Sequence, residues 1–128
     1  MNNLEKLTQA GQIVFGEQWQ SPMSRLLGVD SRSVRNYVSG KSRPPYSRKL
    51  RESLEQKAAE IQQAIALVDA DMVSGDDVTI DAISNIVSQY DYSDIQYQKA
   101  AVDEINNAVY PKTYLSDLHQ IAMKWAGK

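Results

Sequence analysis

A run of side chains able to hydrogen-bond to base edges lies between residues 31 and 36. Arginine and asparagine are the side chains best shaped to bond guanine and adenine in the major groove, and hydroxyl groups can bond bases or phosphates. Val34, Tyr37 and Val38 have the spacing of an inward helical stripe, which leaves the polar residues on the other side. The sequence therefore predicts a base-reading helix that uses Ser31, Arg32, Ser33, Arg35 and Asn36.

The residues before this run predict a tight turn between two short helices. Gly28 can take a left-handed conformation, Val29 supplies an apolar plug, and the Asp30 carboxylate can cap the next helix. We expect the two helices at about residues 21–27 and 31–39. The turn then requires a positive φ at Gly28.

This segment resembles the helix-turn-helix domain of phage repressors and Cro-like regulators. The resemblance covers roughly the first half of the chain, and residues 74–128 resemble no family. It departs from the family pattern at Ser24, where alanine is usual, and at Pro22, which the first turn of a helix tolerates. The matching residues are Gln20, Ser24, Gly28-Val29, Val34, Tyr37 and the exit Gly40-Lys41-Ser42-Arg43-Pro44.

The resemblance implies a sequence-specific DNA-binding regulator of transcription, and more narrowly a repressor of a phage-like or mobile-element operon. Four residues would hold the DNA backbone, as their positions do in the family: Gln20, Arg25, Lys41 and Arg43. A homodimer would present two such helices to successive major grooves about 34 Å apart, so the operator is expected to be an inverted repeat of double-stranded DNA.

The distribution of charge supports the same interpretation. The chain of 128 residues has a net charge of −2. Residues 20–57, however, hold nine basic and three acidic groups, whereas residues 58–128 hold four basic and eleven acidic ones. A basic segment that coincides with a groove-reading motif is typical of phosphate binding. The alternative is that these charges form an ordinary solvated helix face.

The rest of the chain also reads as helices, and no run alternates with the period of a strand. Further helices are expected at about 3–15, 47–73, 80–89, 94–109 and 113–126, with Thr79 and Ser93 as caps. The predicted fold class is all-α: an N-terminal helix-turn-helix bundle, a long linking helix and a small C-terminal helical module. The predicted domains are 1–57, which binds DNA, and 58–128, which dimerises or binds a partner.

Two apolar stripes are candidates for the dimer surface. The long helix carries apolar residues at spacings close to a heptad repeat, and the last helix carries a second stripe. The alternative is that each stripe packs on helices of its own subunit. The first stripe contains Leu54, Ile61, Ile65 and Val68, and the second contains Leu118, Ile121 and Trp125.

Other chemistry finds little support. There is no cysteine, and His119 is the only histidine and has no ligand at a suitable spacing, so we expect no metal, no cofactor and no enzymatic activity. No apolar run is long enough to cross a bilayer, and the N-terminus lacks the features of a secretory signal. We therefore expect a cytoplasmic protein.

The C-terminal half leaves a second hypothesis open. Residues 58–128 could engage another protein, as in an antitoxin that binds its toxin and represses its own operon. Co-purification of a small partner protein would distinguish this role from that of a free-standing repressor. A third reading, in which the motif is only a structural helical corner, is weakened by the basic charge concentrated there.

Overall fold

The computed structural model describes every residue from Met1 to Lys128 and is mostly helical. This confirms the predicted class in its coarse form. The helices are α1 (Asn3–Phe15), α2 (Gln20–Leu27), α3 (Ser31–Ser39), α4 (Ser47–Val68), α5 (Ile80–Val87), α6 (Ile95–Asn107) and α7 (Leu115–Ala126). The strands are β1 (Met72–Ser74) and β2 (Lys112–Tyr114).

The chain divides into two compact units, Met1–Ala64 and Ile65–Lys128. The division falls inside α4 and later in the chain than the predicted boundary between residues 57 and 58. No turn or glycine marks either position, because α4 is one continuous helix from Ser47 to Val68.

The first unit is a helical bundle around a single apolar core. Helices α1, α2 and α3 each contribute an inward face, and the beginning of α4 closes the core with Leu50. Polar bonds attach α4 to α1 as well, because the Ser47 hydroxyl donates to Asn3 Oδ1 at 2.8 Å and accepts from Lys6 Nζ at 3.1 Å. The buried core consists of Leu7, Trp19, Met23, Leu27, Val34 and Leu50.

A glycine in the middle of α1 makes room for an aromatic ring. Gly11 is buried, and a Cβ atom at this position would overlap the indole of Trp19, which is only 4% exposed. Glycine lowers the intrinsic stability of a helix by about 1 kcal/mol relative to alanine. Glycine is nevertheless suited to this position, because without a side chain it lets Trp19 pack closely against the helix backbone.

The second unit packs three helices beside a two-stranded antiparallel sheet. Helices α5, α6 and α7 enclose its core, while β1 pairs with β2 in the register Met72 with Tyr114, Val73 with Thr113 and Ser74 with Lys112. The Thr79 side chain accepts from Ala82 N–H at 3.1 Å and caps α5, as predicted. The buried core consists of Ile83, Ile86, Val87, Ala101, Ile105, Leu118 and Ala122.

Three sequence-based expectations for this unit were wrong. The fourth helix was expected to reach residue 73 but ends at Val68, and no strand was expected. After Val68 the Asp69 carboxylate accepts from the Tyr114 hydroxyl at 2.7 Å, and Asp71 accepts from Ser116 N–H. Residues Asp69–Asp71 form one 3₁₀ turn, after which the strand pairing replaces the α-helical hydrogen bonds.

The third error concerns the cap of α6. Its N-cap is Asp94, whose carboxylate accepts from Gln96 N–H at 2.9 Å, and not Ser93. The Ser93 hydroxyl donates instead to the backbone carbonyl of Lys128 at 2.9 Å. Two capping residues in succession made the choice ambiguous from sequence.

Candidate nucleic-acid interface

The turn between α2 and α3 is built on a left-handed glycine. Gly28 has φ +73°, which confirms the predicted positive φ. Its N–H bonds the carbonyl of Arg25 at 3.2 Å, and Val29 N–H bonds the carbonyl of Ser24 at 2.9 Å. This is the Schellman pattern, which satisfies the last carbonyls of a helix and reverses the chain direction.

The small residue of α2 has a defined role. Ser24 is 4% exposed, and its hydroxyl donates to the backbone carbonyl of Ser21 at 2.5 Å. A buried hydroxyl costs little when it is bonded in this way. Serine is therefore tolerated at this buried position.

An aspartate fixes the start of α3, as predicted. Asp30 Oδ1 accepts from Ser33 N–H at 2.8 Å and from the Ser33 hydroxyl at 2.9 Å. These hydrogen bonds, with the nearby positive charges of Arg32 and Arg35, lower the pKa of the Asp30 carboxyl. The cap therefore holds a negative charge at the positive end of the helix dipole, where it is favourable.

Core packing anchors only one side of α3. Val34 is fully buried and Tyr37 packs against the core of the first unit. The expectation that Val38 joins this inward stripe was wrong, because its side chain is 43% exposed. The helix ends at Ser39, and Val38 and Ser39 in its last turn are exposed.

The opposite side of α3 carries the residues predicted to read bases. Arg32 and Arg35 are exposed, and Ser31 and Asn36 are half-buried. The Ser33 hydroxyl gives its only proton to the cap of α3. Free donors therefore come from the two arginines, the asparagine and, at the start of the helix, the Ser31 hydroxyl.

A cleft of about 350 Å³ joins the beginnings of α2 and α3. It brings together three predicted site residues, Gln20 of α2 with Ser31 and Arg35 of α3. It also contains Glu17 and Ser21, which were not singled out from the sequence. Their position within one turn of Gln20 was the only available signal. The cleft is thus lined by hydrogen-bond donors and acceptors, and one of its side chains is acidic.

The remaining predicted backbone-contacting residues are exposed but do not share that cleft. Lys41 follows Gly40, and its N–H bonds the carbonyl of Asn36 at 2.9 Å, so the end of α3 fixes its position. Arg43 lines a second cleft of about 570 Å³ with Asn2, Asn3, Leu4, Pro44, Pro45 and Tyr46. Arg25 lies on the exposed side of α2.

The five cations predicted to contact DNA form no salt bridges. The structure contains three salt bridges, Arg51–Glu55, Lys57–Glu60 and Lys124–Glu104. None of them involves Arg25, Arg32, Arg35, Lys41 or Arg43. These charges are therefore free to bind an anion.

The two stripes predicted for dimerisation differ in their exposure to solvent. In the first, Ile61, Ile65 and Val68 are exposed, while Leu54 packs partly against the core of the first unit. In the second, Leu118 has no exposed area, so its assignment to a dimer surface was wrong. Ile121 and Trp125 pack partly against the same core. The apolar face of α7 therefore packs within its own unit.

The single histidine lies in a local contact. His119 Nδ1 is 2.8 Å from the Tyr90 hydroxyl, and the two rings meet edge to face. The chain has no group of three or more His, Cys, Asp or Glu side chains placed to hold a metal ion. None of the helices combines the length and apolar character needed to cross a membrane.

Comparison with known proteins returned no relative: no family model, no curated protein and no solved structure matches the chain.

Proposed function

We propose that this chain is a sequence-specific DNA-binding regulator of transcription, in which α2 and α3 form a helix-turn-helix and α3 enters the major groove. One observation carries the proposal. Helix α3 is anchored by Val34 on one side and presents Arg32 and Arg35, exposed and free of ion pairs, on the other. Exposed arginines beside Asn36 match the side chains that recognise guanine and adenine.

The proposed contacts divide into two kinds. Arg32, Arg35 and Asn36 bond base edges and so determine the sequence, with Ser31 near a base or phosphate. The cations outside α3, namely Arg25, Lys41 and Arg43, bind phosphates, which sets the register and supplies affinity without sequence preference. Gln20 joins the two groups, because it shares a cleft with Ser31 and Arg35.

The proposed regulator acts in the cytoplasm as a homodimer on an inverted repeat. One recognition helix contacts only a few base pairs, which is too little to select a site in a genome. Two recognition helices related by a two-fold axis contact twice as many base pairs. Bound at a promoter, such a dimer represses by occluding it.

A second candidate function concerns the unit Ile65–Lys128. This unit carries ten acidic and four basic side chains. An acidic surface of this kind suits a basic protein partner, as in an antitoxin that also represses its operon. Co-expression with the neighbouring genes, followed by purification, tests this role: a stable complex with a small partner protein supports it.

The principal experiment is a fluorescence anisotropy titration of the full chain. A duplex from the promoter of its own gene is compared with a scrambled duplex of equal length, at several salt concentrations. We expect tighter binding to the promoter duplex, with an affinity that falls steeply as salt rises, because bound cations release counterions from the DNA. Equal affinity for both duplexes at physiological salt would refute sequence-specific binding.

Two variants separate the two kinds of contact. Arg35→Ala is expected to cost about 1–3 kcal/mol on the promoter duplex and little on the scrambled one. Lys41→Ala is the matched control: it removes the same charge from an exposed position outside α3, should weaken both duplexes alike, and should lower the salt slope by about one. If Arg35→Ala also weakens both duplexes equally, α3 does not read bases.

A further inference from the structure

The second half of α4 is exposed on all sides and unusually apolar. Every residue from Ala58 to Val68 is exposed, and eight of these eleven are apolar. Glu60 is the only charged residue among them. Four large side chains are left open to solvent: Ile61 is 50% exposed, Ile65 45%, Leu67 78% and Val68 64%.

A helical segment of this composition is incomplete without a partner. Helices in water owe most of their stability to packing of an apolar face, and a bare stretch of eleven residues has no such packing. Contiguous exposed apolar surface in a protein marks an interaction site. The stripe formed by Ala58, Ile61, Ile65 and Val68 has spacings of three, four and three residues, which is the seam of a coiled coil.

We propose that this stripe pairs with the same stripe of a second copy of the chain, with the two α4 helices antiparallel and centred on Gln63. Ile61 then lies opposite Ile65 of the second copy, and Ala58 lies opposite Val68 of the second copy. The stripe is symmetric about Gln63, so all four residues find an apolar counterpart in one register. Each layer pairs two isoleucines or a small side chain with a larger one.

The charge at the two ends of the segment selects the antiparallel orientation. Before it, α4 carries Arg48, Lys49, Arg51 and Lys57 against Glu52 and Glu55. Directly after it come Asp69 and Asp71, with no cation between them. A parallel pair would bring like ends together, whereas an antiparallel pair places the basic end of one helix beside the acidic end of the other. The helix dipoles favour the same orientation.

The orientation also suits the operator, an argument that rests on the proposed function. Leu54 attaches α4 to the core of the first unit and lies nine residues before Gln63. At 1.5 Å per residue, antiparallel pairing separates the two Leu54 residues by about 27 Å along the helix axis. Parallel pairing would bring them within about 10 Å. Of the two spacings, the larger is the nearer to the 34 Å between successive major grooves.

The absence of cysteine from the chain allows a direct test by cross-linking. The full-length double variant Ala58→Cys/Val68→Cys is oxidised, or treated with a short bismaleimide, without DNA. We expect a covalent dimer, because the thiol at position 58 of one copy faces the thiol at position 68 of the other. The two positions on one helix are about 15 Å apart, too far for an internal disulfide.

The single variant Ala58→Cys is the matched control. In the antiparallel pair its two copies lie about 15 Å apart and should not form a disulfide. An Ala58→Cys disulfide dimer would demonstrate parallel pairing and overturn the proposal. A double variant that stays uncross-linked at concentrations where the protein is dimeric would place the dimer surface elsewhere and also overturn it.

A second measurement uses charge and sedimentation velocity. Ile61→Asp/Ile65→Asp should convert the dimer to a folded monomer, because both side chains are already about half exposed within the chain. Ala59→Asp/Ala66→Asp adds the same charge outside the stripe and should remain dimeric. A monomeric wild-type protein at tens of micromolar would overturn the pairing. Because neither assay contains DNA, a dimer that cross-links as expected but binds DNA without preference would refute only the proposed function.

Discussion

Replacement of Gly28 tests how the turn positions α3. A Cβ atom at Gly28 would meet no atom within 4 Å, and the residue is exposed, so a substitution creates no steric overlap with neighbouring elements. Its φ of +73° is the left-handed conformation, which costs a side-chain-bearing residue about 1–2 kcal/mol. Gly28→Val should therefore strain the backbone without unfolding the unit.

The expected loss can be measured as a melting temperature. For a unit of this size, 1 kcal/mol corresponds to about 4–8 °C, so Gly28→Val should melt roughly 4–16 °C below the wild type. The fluorescence of Trp19, which is buried in the core of the first unit, reports the transition if Trp125→Phe is present in every sample. Gly28→Asn is the matched control and should lose clearly less, because asparagine enters the left-handed region more readily.

Binding of promoter DNA adds a second measurement to the same pair. If the turn fixes the direction of α3, then Gly28→Val should weaken binding more than Gly28→Asn at a temperature where both are folded. A Gly28→Val protein with the wild-type melting temperature would refute the strain argument. Equal losses for valine and asparagine would show that the cost does not arise from the backbone conformation.

Three further predictions follow from particular contacts. Gly11→Ala should destabilise the protein in thermal unfolding, since overlap with Trp19 costs about 1–3 kcal/mol and outweighs the gain of about 1 kcal/mol in helix propensity; a stabilised variant would contradict this packing. Glu17→Gln should tighten binding to promoter and scrambled DNA alike, by up to roughly fivefold, the ratio for about 1 kcal/mol between charges 4 Å apart in water; unchanged affinity would place Glu17 away from the DNA. The pKa of Asp30 is lowered by its bonds to Ser33, so the cap stabilises the fold above the ordinary aspartate pKa of about 3.9 and is lost as the pH falls through the lowered value. Denaturation of wild type and Asp30→Ala against pH should show a stability difference that disappears in acid, and a constant difference would refute this role.

The features that could be predicted from sequence are those with a local cause. The turn at Gly28 and the cap at Asp30 depend on hydrogen bonds between residues at most five positions apart. The turn and the start of α3 could therefore be predicted from the local sequence. By contrast, β1 and β2 have three residues each, too few for a periodicity, and they pair across about forty residues of chain. Their formation depends on contacts that no local pattern specifies.

Burial could not be predicted from apolar spacing alone. The stripes containing Ile61 and Leu118 have similar spacings, yet the first is exposed and the second is core. The difference is set by which helices fold back on the same unit. The contact between Gly11 and Trp19 could not be predicted for a related reason. From the sequence alone, the glycine indicates only a less stable helix and not the ring that packs against it.

Selection from a random-sequence DNA library tests the central claim most directly. Full-length protein is mixed with the library at physiological salt, bound duplexes are recovered over several rounds, and the wild type is run beside Arg35→Ala. Recognition by α3 predicts that the wild type enriches an inverted repeat with half-sites about one helical turn apart, and that Arg35→Ala loses preference at one position in each half-site. Recovery of DNA without any enriched sequence, or the same motif with both proteins, would contradict it.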